Sequence, residues 1–170
     1  RRQRQMCIRD RVWPNLWLYM HGGVGFEPYR NTFDNLIPNV PGCPPMHYLE
    51  TYNASEGFFA FQDDLSRDDM ALLMDHGIYY EFVPLNELGA QEPRALEFRE
   101  VEEGETYALV VSTNAGLWRY LVGDLVTITS KVPLRVQVAG RITSHLNLVG
   151  EEVMQHQTDR ALSIVCGELG

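Results

Sequence analysis

Between residues 78 and 139, a succession of segments rich in β-branched and aromatic residues constrains the fold more than any other feature. Thr106 to Thr113 has the sequence Thr-Tyr-Ala-Leu-Val-Val-Ser-Thr, which is typical of a buried strand. Turn residues separate it from the other predicted strands, which are Ile78 to Pro84, Ala95 to Arg99, Leu117 to Leu121, Leu125 to Thr129 and Leu134 to Ala139. The spacing predicts a β-sheet in the middle of the chain, with Val122-Gly123-Asp124 as a tight hairpin turn.

The segments on either side predict a mixed architecture. Three further strands are predicted, at Leu16 to Met20, Met46 to Tyr52 and Gly57 to Gln62. Glu27 to Ile37 is predicted as a helix that ends near Pro38, and Glu151 to Val165 as another, because its apolar residues recur at roughly helical spacing. Asp63 to Asp75 is predicted as a loop or a short helix. The fold class is therefore α/β, and rich in β-strands.

Composition excludes several classes of function. The formal net charge of −9 disfavours nucleic acid as a partner, since phosphate binding needs clustered Lys and Arg. The sequence contains no run of about 18 apolar residues, so no membrane span is predicted. No signal peptide is visible either, so the cytoplasm is the expected compartment. The three cysteines and five histidines show none of the usual spacings of a zinc site.

The first eleven residues differ from the rest of the chain. They contain five arginines in an otherwise acidic sequence, which suggests a basic arm or a non-native extension. We expect residues 1–11 to be the latter and exclude them from the fold. The last residues end in or just after the second predicted helix, so we expect truncation at both ends.

Three polar clusters lie near predicted strand ends, where ligands usually meet α/β sheets. The first is Thr51-Tyr52-Asn53-Ala54-Ser55-Glu56-Gly57. The Glu56 carboxylate is a ligand type that Mg²⁺ accepts, and the ion would neutralise phosphate charge. Residue types alone favour the alternative, a hairpin turn whose polar side chains face water.

The second cluster, Gly116 to Asp124, ends in Gly123-Asp124, and an Asp in such a place can accept hydrogen bonds from both ribose hydroxyls. Ordinary turn chemistry is the alternative. The third cluster joins Gly140-Arg141 to Asn147 and Gly150-Glu151-Glu152. Arg141 beside a glycine could reach a nucleotide, or it is a solvated arginine in a linker.

Taken together, the order and spacing of the three clusters favour a nucleotide site over ordinary turns and a solvated linker. Tyr52-Asn53-Ala54-Ser55-Glu56 resembles the Tyr-x-x-Ser-Glu motif of the auxin-responsive (GH-three) family of acyl-acid amido synthetases, which is similar to the acyl-adenylate-forming superfamily. Tyr120 to Asp124 resembles its Tyr-Arg-x-Gly-Asp motif, with Leu121 in place of the arginine. Gly140-Arg141 to Glu151 resembles the segment that joins its large and small domains. Trp13 to Tyr29 resembles the bacterial branch of the family.

The resemblance implies a domain organisation and a set of site residues. Residues 12–140 would be the C-terminal half of the large adenylate-binding domain, and residues 141–170 the hinge and the start of the small C-terminal domain. Glu56 would act in catalysis by binding Mg²⁺ and the ATP phosphates, Asp124 would hold the ribose hydroxyls, and Arg141 would assist. The adenylate would be lined by Tyr52, Asn53, Ala54 and Ser55. The adenine and acyl pocket would be bordered by His21, Gly22, Gly23 and Val24.

The family reaction has two steps. A carboxylate oxygen attacks the α-phosphorus of ATP, which forms an acyl-adenylate and releases pyrophosphate. The nitrogen of an amine, such as an amino acid, then attacks the acyl carbon and displaces AMP, which leaves an amide. The family's Ser/Thr-rich phosphate loop and its C-terminal lysine are absent from this segment, so the resemblance implies little turnover by the segment alone. An acyl-CoA ligase and a non-catalytic nucleotide-binding module are the alternatives.

Overall fold

The computed structural model describes residues 16–23, 26–37 and 45–142, together with the backbone of 146–148 and 151–153. In chain order, the elements are β1 (Leu18–Gly22), α1 (Glu27–Leu36), β2 (His47–Ala54), β3 (Gly57–Phe61), β4 (Met70–Leu72), β5 (Ile78–Pro84), β6 (Thr106–Thr113), β7 (Tyr120–Lys131), β8 (Leu134–Arg141), β9 (Leu146–Leu148) and β10 (Glu151–Val153). A short 3₁₀ turn at Leu85–Glu87 follows β5. No helix in these ranges has the length and apolarity that crossing a membrane requires.

Eight strands form one mixed sheet in the order β1-β2-β3-β4-β8-β7-β6-β5. Only β1 and β2 pair in parallel; the other neighbours are antiparallel. Strands β9 and β10 form a separate antiparallel pair. The β-rich fold predicted from the sequence is confirmed, because its β-branched and aromatic segments supply the strands of this sheet.

The sheet curls strongly on itself. Strands β3 and β5 are five positions apart, about 24 Å in a flat sheet, yet the Tyr80 hydroxyl lies 3.5 Å from the Phe59 carbonyl oxygen. The concave face encloses the main apolar core, to which β3, β5, β6 and β7 contribute Phe59, Phe82, Leu109 and Val126, all fully buried. Curling therefore brings together strands that are distant in the sheet order.

Helix α1 packs against β1 and β2 through a cluster of aromatic rings. Tyr19 lies 4.9 Å from Phe33 and Phe26 lies 4.6 Å from Tyr48, measured between ring centroids. The Tyr48 hydroxyl donates a 2.7 Å hydrogen bond to Asp34 on the helix. Predicted as Glu27 to Ile37, this helix is confirmed to within one residue at its end.

The hairpin turn predicted at Val122-Gly123-Asp124 is wrong. Strand β7 runs without reversal from Tyr120 to Lys131, and the hairpin instead lies at Val132-Pro133, between β7 and β8. Gly123 has a φ of +90°, and the ladders on both sides of β7 change register near it. A glycine that adopts positive φ lets a strand kink without ending, so the turn-like dipeptide marks an irregularity within one strand.

Three further assignments need correction. The acidic segment predicted as loop or helix contains strand β4, whose residues Met70 and Leu72 are buried in the core. Of the strand predicted at Ala95 to Arg99, only Leu96 pairs, by two backbone hydrogen bonds to Phe82. The helix predicted from Glu151 begins instead as β10. Residues 1–15 and 154–170, and with them most of that predicted helix, lie outside the described ranges.

Candidate functional site

The first two polar clusters meet through Tyr52 and Asp124. Strands β2 and β7 are four positions apart, about 19 Å in a flat sheet, but the Tyr52 hydroxyl donates a 2.9 Å hydrogen bond to Asp124 Oδ2. Both residues are only 6% exposed. Burial raises the pKa of Tyr52 strongly, and the charge and hydrogen bond of Asp124 raise it further. The phenol therefore stays protonated and acts as a donor.

The third cluster also contacts Asp124, through Arg141. Asp124 and Arg141 are register partners on β7 and β8, and Arg141 Nε lies 3.1 Å from Asp124 Oδ1. Each carboxylate oxygen of Asp124 thus contacts one of these two side chains, Oδ2 through a hydrogen bond from Tyr52 and Oδ1 through the ion pair with Arg141. Because an ionised carboxylate offers about four acceptor positions, this arrangement leaves acceptor capacity for two more donors. A pair of neighbouring hydroxyls is a ligand of that kind.

Glu56 lies in the turn between β2 and β3, and its side chain is partly exposed. It follows Tyr52 by four residues along the chain, and its negative charge contributes least among the influences on the pKa of Tyr52. Asn53 and Ala54 belong to β2, so the turn itself is shorter than the four residues predicted and consists of Ser55 and Glu56.

A resident metal would find few protein ligands here. Within the described ranges, no group of three or more His, Cys, Asp or Glu side chains is placed to hold an ion. Magnesium, however, is commonly held by one or two carboxylates together with substrate phosphates and water. Glu56 thus fits an ion that arrives with a nucleotide, and does not fit one held by the protein alone.

The end of β1 lies directly beside the first cluster. Gly22 is the register partner of Thr51, and a Cβ added to Gly22 would lie 2.6 Å from the Thr51 carbonyl oxygen and 2.9 Å from Asn53 Oδ1. The Thr51 hydroxyl also donates a 2.9 Å hydrogen bond to the His21 carbonyl oxygen. Glycine is required where two backbones approach so closely. Gly23 follows with a φ of +84°.

The His21 ring stacks on Phe26 at a centroid distance of 4.3 Å. Its Nδ1 atom is buried and has no hydrogen-bond partner among the described residues. Burial lowers the pKa of His21, and the positive charge of Arg30 lowers it further, so the neutral ring is favoured. Val24, the fourth residue predicted for this pocket, lies outside the described ranges.

The rest of the second cluster points to other partners. Trp118 is 83% exposed, and Arg119 has a positive φ of 45° and forms a 3.0 Å ion pair with Glu81 on β5. Leu121, at the position where the family motif has an arginine, is exposed. Asp124 is thus the member of this cluster that meets Tyr52 and Arg141.

Sequence reasoning missed a buried network of charges next to the core. Asp69 accepts hydrogen bonds from Arg67, Thr129 and Arg135, at 2.6 to 2.8 Å. Arg135 also reaches Asp63 at 2.6 Å. The available signal was an arginine between Leu134 and Val136 in a predicted strand, since a buried charge needs a partner. The network joins Asp69, directly before β4, to Thr129 on β7 and Arg135 on β8.

Comparison with known proteins gives three kinds of match. Residues 71–141 match the model of the GH3 family central domain. The chain is 32% identical over 129 residues to the 4-substituted benzoates-glutamate ligase GH3.12 of Arabidopsis thaliana. The aligned region covers 72% of this chain and 21% of that protein. It is 33% identical over 130 residues to the indole-3-acetic acid-amido synthetase GH3.8 of Oryza sativa subsp. indica, covering 72% and 20%.

Comparison with solved structures also finds a GH3 protein. The solved structure of the GH3.15 acyl acid amido synthetase aligns with a TM-score of 0.70 and 19% identity, over 96% of this chain and 29% of that one. The chain spans about a fifth of the length of the curated relatives it matches. Both of those relatives are plant proteins, so the bacterial branch stays a prediction. On the family match, the sequence identity and the shared fold, the chain belongs to the GH3 family.

Proposed function

We propose that the protein containing this segment activates a small carboxylic acid with ATP and Mg²⁺ as an acyl-adenylate. It then transfers the acyl group to an amine, such as an amino acid. The observation that carries this proposal is the meeting of Tyr52, Asp124 and Arg141, which come from three separate polar clusters. The names of the two curated relatives, a benzoate-glutamate ligase and an indole-3-acetic acid-amido synthetase, support the same reaction class.

Asp124 is proposed to hold the ribose hydroxyls of ATP. Its carboxylate is buried, receives one hydrogen bond from Tyr52 and forms an ion pair with Arg141, and its remaining lone pairs suit two hydroxyl donors. Arg141, with a side chain that is 64% exposed, is also free in part to face a ligand phosphate or hydroxyl. Asn53, Ala54 and Ser55 would line the adenylate.

Glu56 is proposed to bind Mg²⁺ together with the phosphates of ATP. When bound, the ion would offset the negative charge that develops as pyrophosphate leaves. The chain's own part is to supply one carboxylate from the turn that follows β2, the strand that carries Tyr52. His21, Gly22, Gly23 and Val24 are proposed to border the adenine and acyl pocket, since the end of β1 lies against Thr51.

We further propose that residues 12–140 belong to the large adenylate-binding domain and that residues 141–170 begin the hinge and small domain. A boundary at the end of β8 is supported by chain order, because β8 is the last strand of the main sheet along the chain and the next strands, β9 and β10, form a separate pair. We place the protein in the cytoplasm, with no nucleic acid or membrane partner, in keeping with its net charge of −9.

The test is ATP–pyrophosphate exchange by the complete gene product with a panel of aromatic and aliphatic acids. We expect exchange with at least one acid, and amide formation when amino acids are added. CoA in place of amino acids distinguishes the acyl-CoA ligase alternative, since thioester formation would replace amide formation. The 170-residue chain alone is the control and should show little turnover. Nucleotide binding without exchange for any acid would instead support a non-catalytic module.

A further inference from the structure

The side chain of Tyr52 is almost completely buried in the protein. Its ring packs edge-on against Phe59 at a centroid distance of 5.0 Å, and only 6% of the residue is exposed. Its hydroxyl is committed to Asp124 Oδ2. A side chain so enclosed has little surface left for a ligand, so its influence on a bound nucleotide would pass through Asp124.

The two side chains that contact the Asp124 carboxylate, Tyr52 and Arg141, differ in how firmly they are held. The side chain of Arg141 is 64% exposed and extends from the last residue of β8. Tyr52 is anchored in the core by Phe59, so its hydroxyl is the fixed point of the pair. A hydrogen bond between a fixed donor and one carboxylate oxygen restricts rotation of the carboxylate about its Cβ–Cγ bond.

Orientation decides what a carboxylate can recognise. Two neighbouring hydroxyls are both satisfied only when the free lone pairs of the acceptor point to both of them. A carboxylate that rotates freely would accept one hydroxyl nearly as well as two. A fixed one leaves an unmet acceptor when a hydroxyl is missing, and that penalty produces discrimination.

We propose that Tyr52 is a positioning residue whose hydroxyl sets the plane of the Asp124 carboxylate and thereby the selectivity of the site for ribose over 2′-deoxyribose. This inference rests on the proposed function, because it needs Asp124 to face the sugar of ATP. It assigns Tyr52 a role that acts through Asp124 and requires no contact of its own with the nucleotide.

The test compares ATP with 2′-deoxy-ATP in pyrophosphate exchange by the complete gene product, with an acid that supports exchange. Y52F keeps the ring and removes the hydroxyl. We expect it to lower the ratio of kcat/KM for ATP to that for 2′-deoxy-ATP by roughly three- to tenfold, the usual effect of losing one hydrogen bond. The KM for the acid should stay unchanged.

Tyr80 provides the matched control. It is a tyrosine of the same core, 3% exposed, and its hydroxyl faces the Phe59 carbonyl oxygen. Y80F should therefore leave the nucleotide ratio as in the wild type. Adding Y52F to D124N should change the ratio no further, because the residue through which Tyr52 acts has already been altered.

The nucleotide ratio remains informative even if Y52F reduces the yield of folded protein, since both nucleotides are measured on the same folded fraction. A wild-type ratio in Y52F would overturn the positioning role while leaving the proposed function intact. An equal fall in Y80F would also overturn it, because general loosening of the core would then explain both results. Absence of exchange in the wild type would reject the proposed function, and the inference with it.

Discussion

Asp124 and Arg141 face each other across β7 and β8, with Arg141 Nε 3.1 Å from Asp124 Oδ1. The pair lies where the 12-residue strand β7 is kinked at Gly123 and at the end of β8, which is the last strand of the main sheet in chain order. Tyr52, on β2, donates a hydrogen bond to the other oxygen of the same carboxylate. One buried acidic side chain therefore connects three stretches of the chain, and its chemistry is the most direct way to test the site.

The substitution Asp124→Asn should weaken nucleotide binding. Asparagine keeps the shape of the side chain but loses the charge and one acceptor, so it cannot serve Tyr52, Arg141 and two ribose hydroxyls together. We expect the Kd for ATP to rise by about ten- to a hundredfold, as for loss of a charged hydrogen bond. Titration calorimetry on the complete gene product measures it. The exposed Asp75→Asn is the control, and an unchanged Kd in Asp124→Asn would contradict the role.

Glu56→Gln should raise the magnesium requirement of the reaction. The amide keeps the size of the side chain and removes the charge that a hard cation prefers. We expect half-maximal pyrophosphate exchange at a Mg²⁺ concentration at least several-fold higher, with kcat reduced. Glu102→Gln, at an exposed position in a different turn, should leave the magnesium dependence alone. Identical magnesium titrations for Glu56→Gln and wild type would argue against metal binding at this turn.

Arg135→Met should destabilise the fold. Arg135 is 5% exposed and is shared by Asp69 and Asp63, so its removal leaves a buried carboxylate with fewer partners. We expect a loss of about 3 kcal/mol in the free energy of unfolding, measured by urea denaturation of the 170-residue chain. Arg94→Met, which breaks the exposed ion pair with Glu87, should have a much smaller effect. Equal losses in the two variants would show that burial of the network is unimportant.

The same network should give the chain a stability that depends on pH. Hydrogen bonds from Arg67, followed by those from Arg135 and Thr129, hold the pKa of Asp69 far below its ordinary value despite burial. Below about pH 4 the unfolded chain then binds more protons than the folded one. The stability advantage of wild type over Asp69→Asn should be complete above about pH 4 and shrink as the pH falls further. Urea midpoints between pH 2 and 7 measure this advantage, and a constant difference would contradict the prediction.

Gly22→Ala should destabilise the junction of β1 and β2. The added methyl group would lie 2.6 Å from the Thr51 carbonyl oxygen, which belongs to the backbone and cannot turn aside. We expect a loss of about 1–3 kcal/mol, the usual cost of overpacking. Gly89→Ala, where nothing lies within 4 Å of the added atom, is the control and should be close to neutral. A Gly22→Ala chain as stable as the Gly89→Ala chain would refute the steric argument.

Local pattern was a reliable guide to most strands. Ile78–Pro84 and Thr106–Thr113 were predicted residue for residue, because β-branched and aromatic side chains favour strands through contacts with their immediate surroundings. One error fell where a dipeptide is compatible with two structures. Gly123-Asp124 suits a turn, and it equally suits a kinked strand when both neighbours, β6 and β8, pair with it.

The amino-acid sequence by itself determined where most of the strands lie, which side chains are predicted to contact a nucleotide, and which family the chain resembles. All of these depend on residue types over short stretches. Only the tertiary structure decided that Tyr52 reaches Asp124, 72 residues away, and that Arg141 joins them. That outcome depends on the strand order and on the curling of the sheet, which arise from packing of the whole core and are not encoded in any single segment.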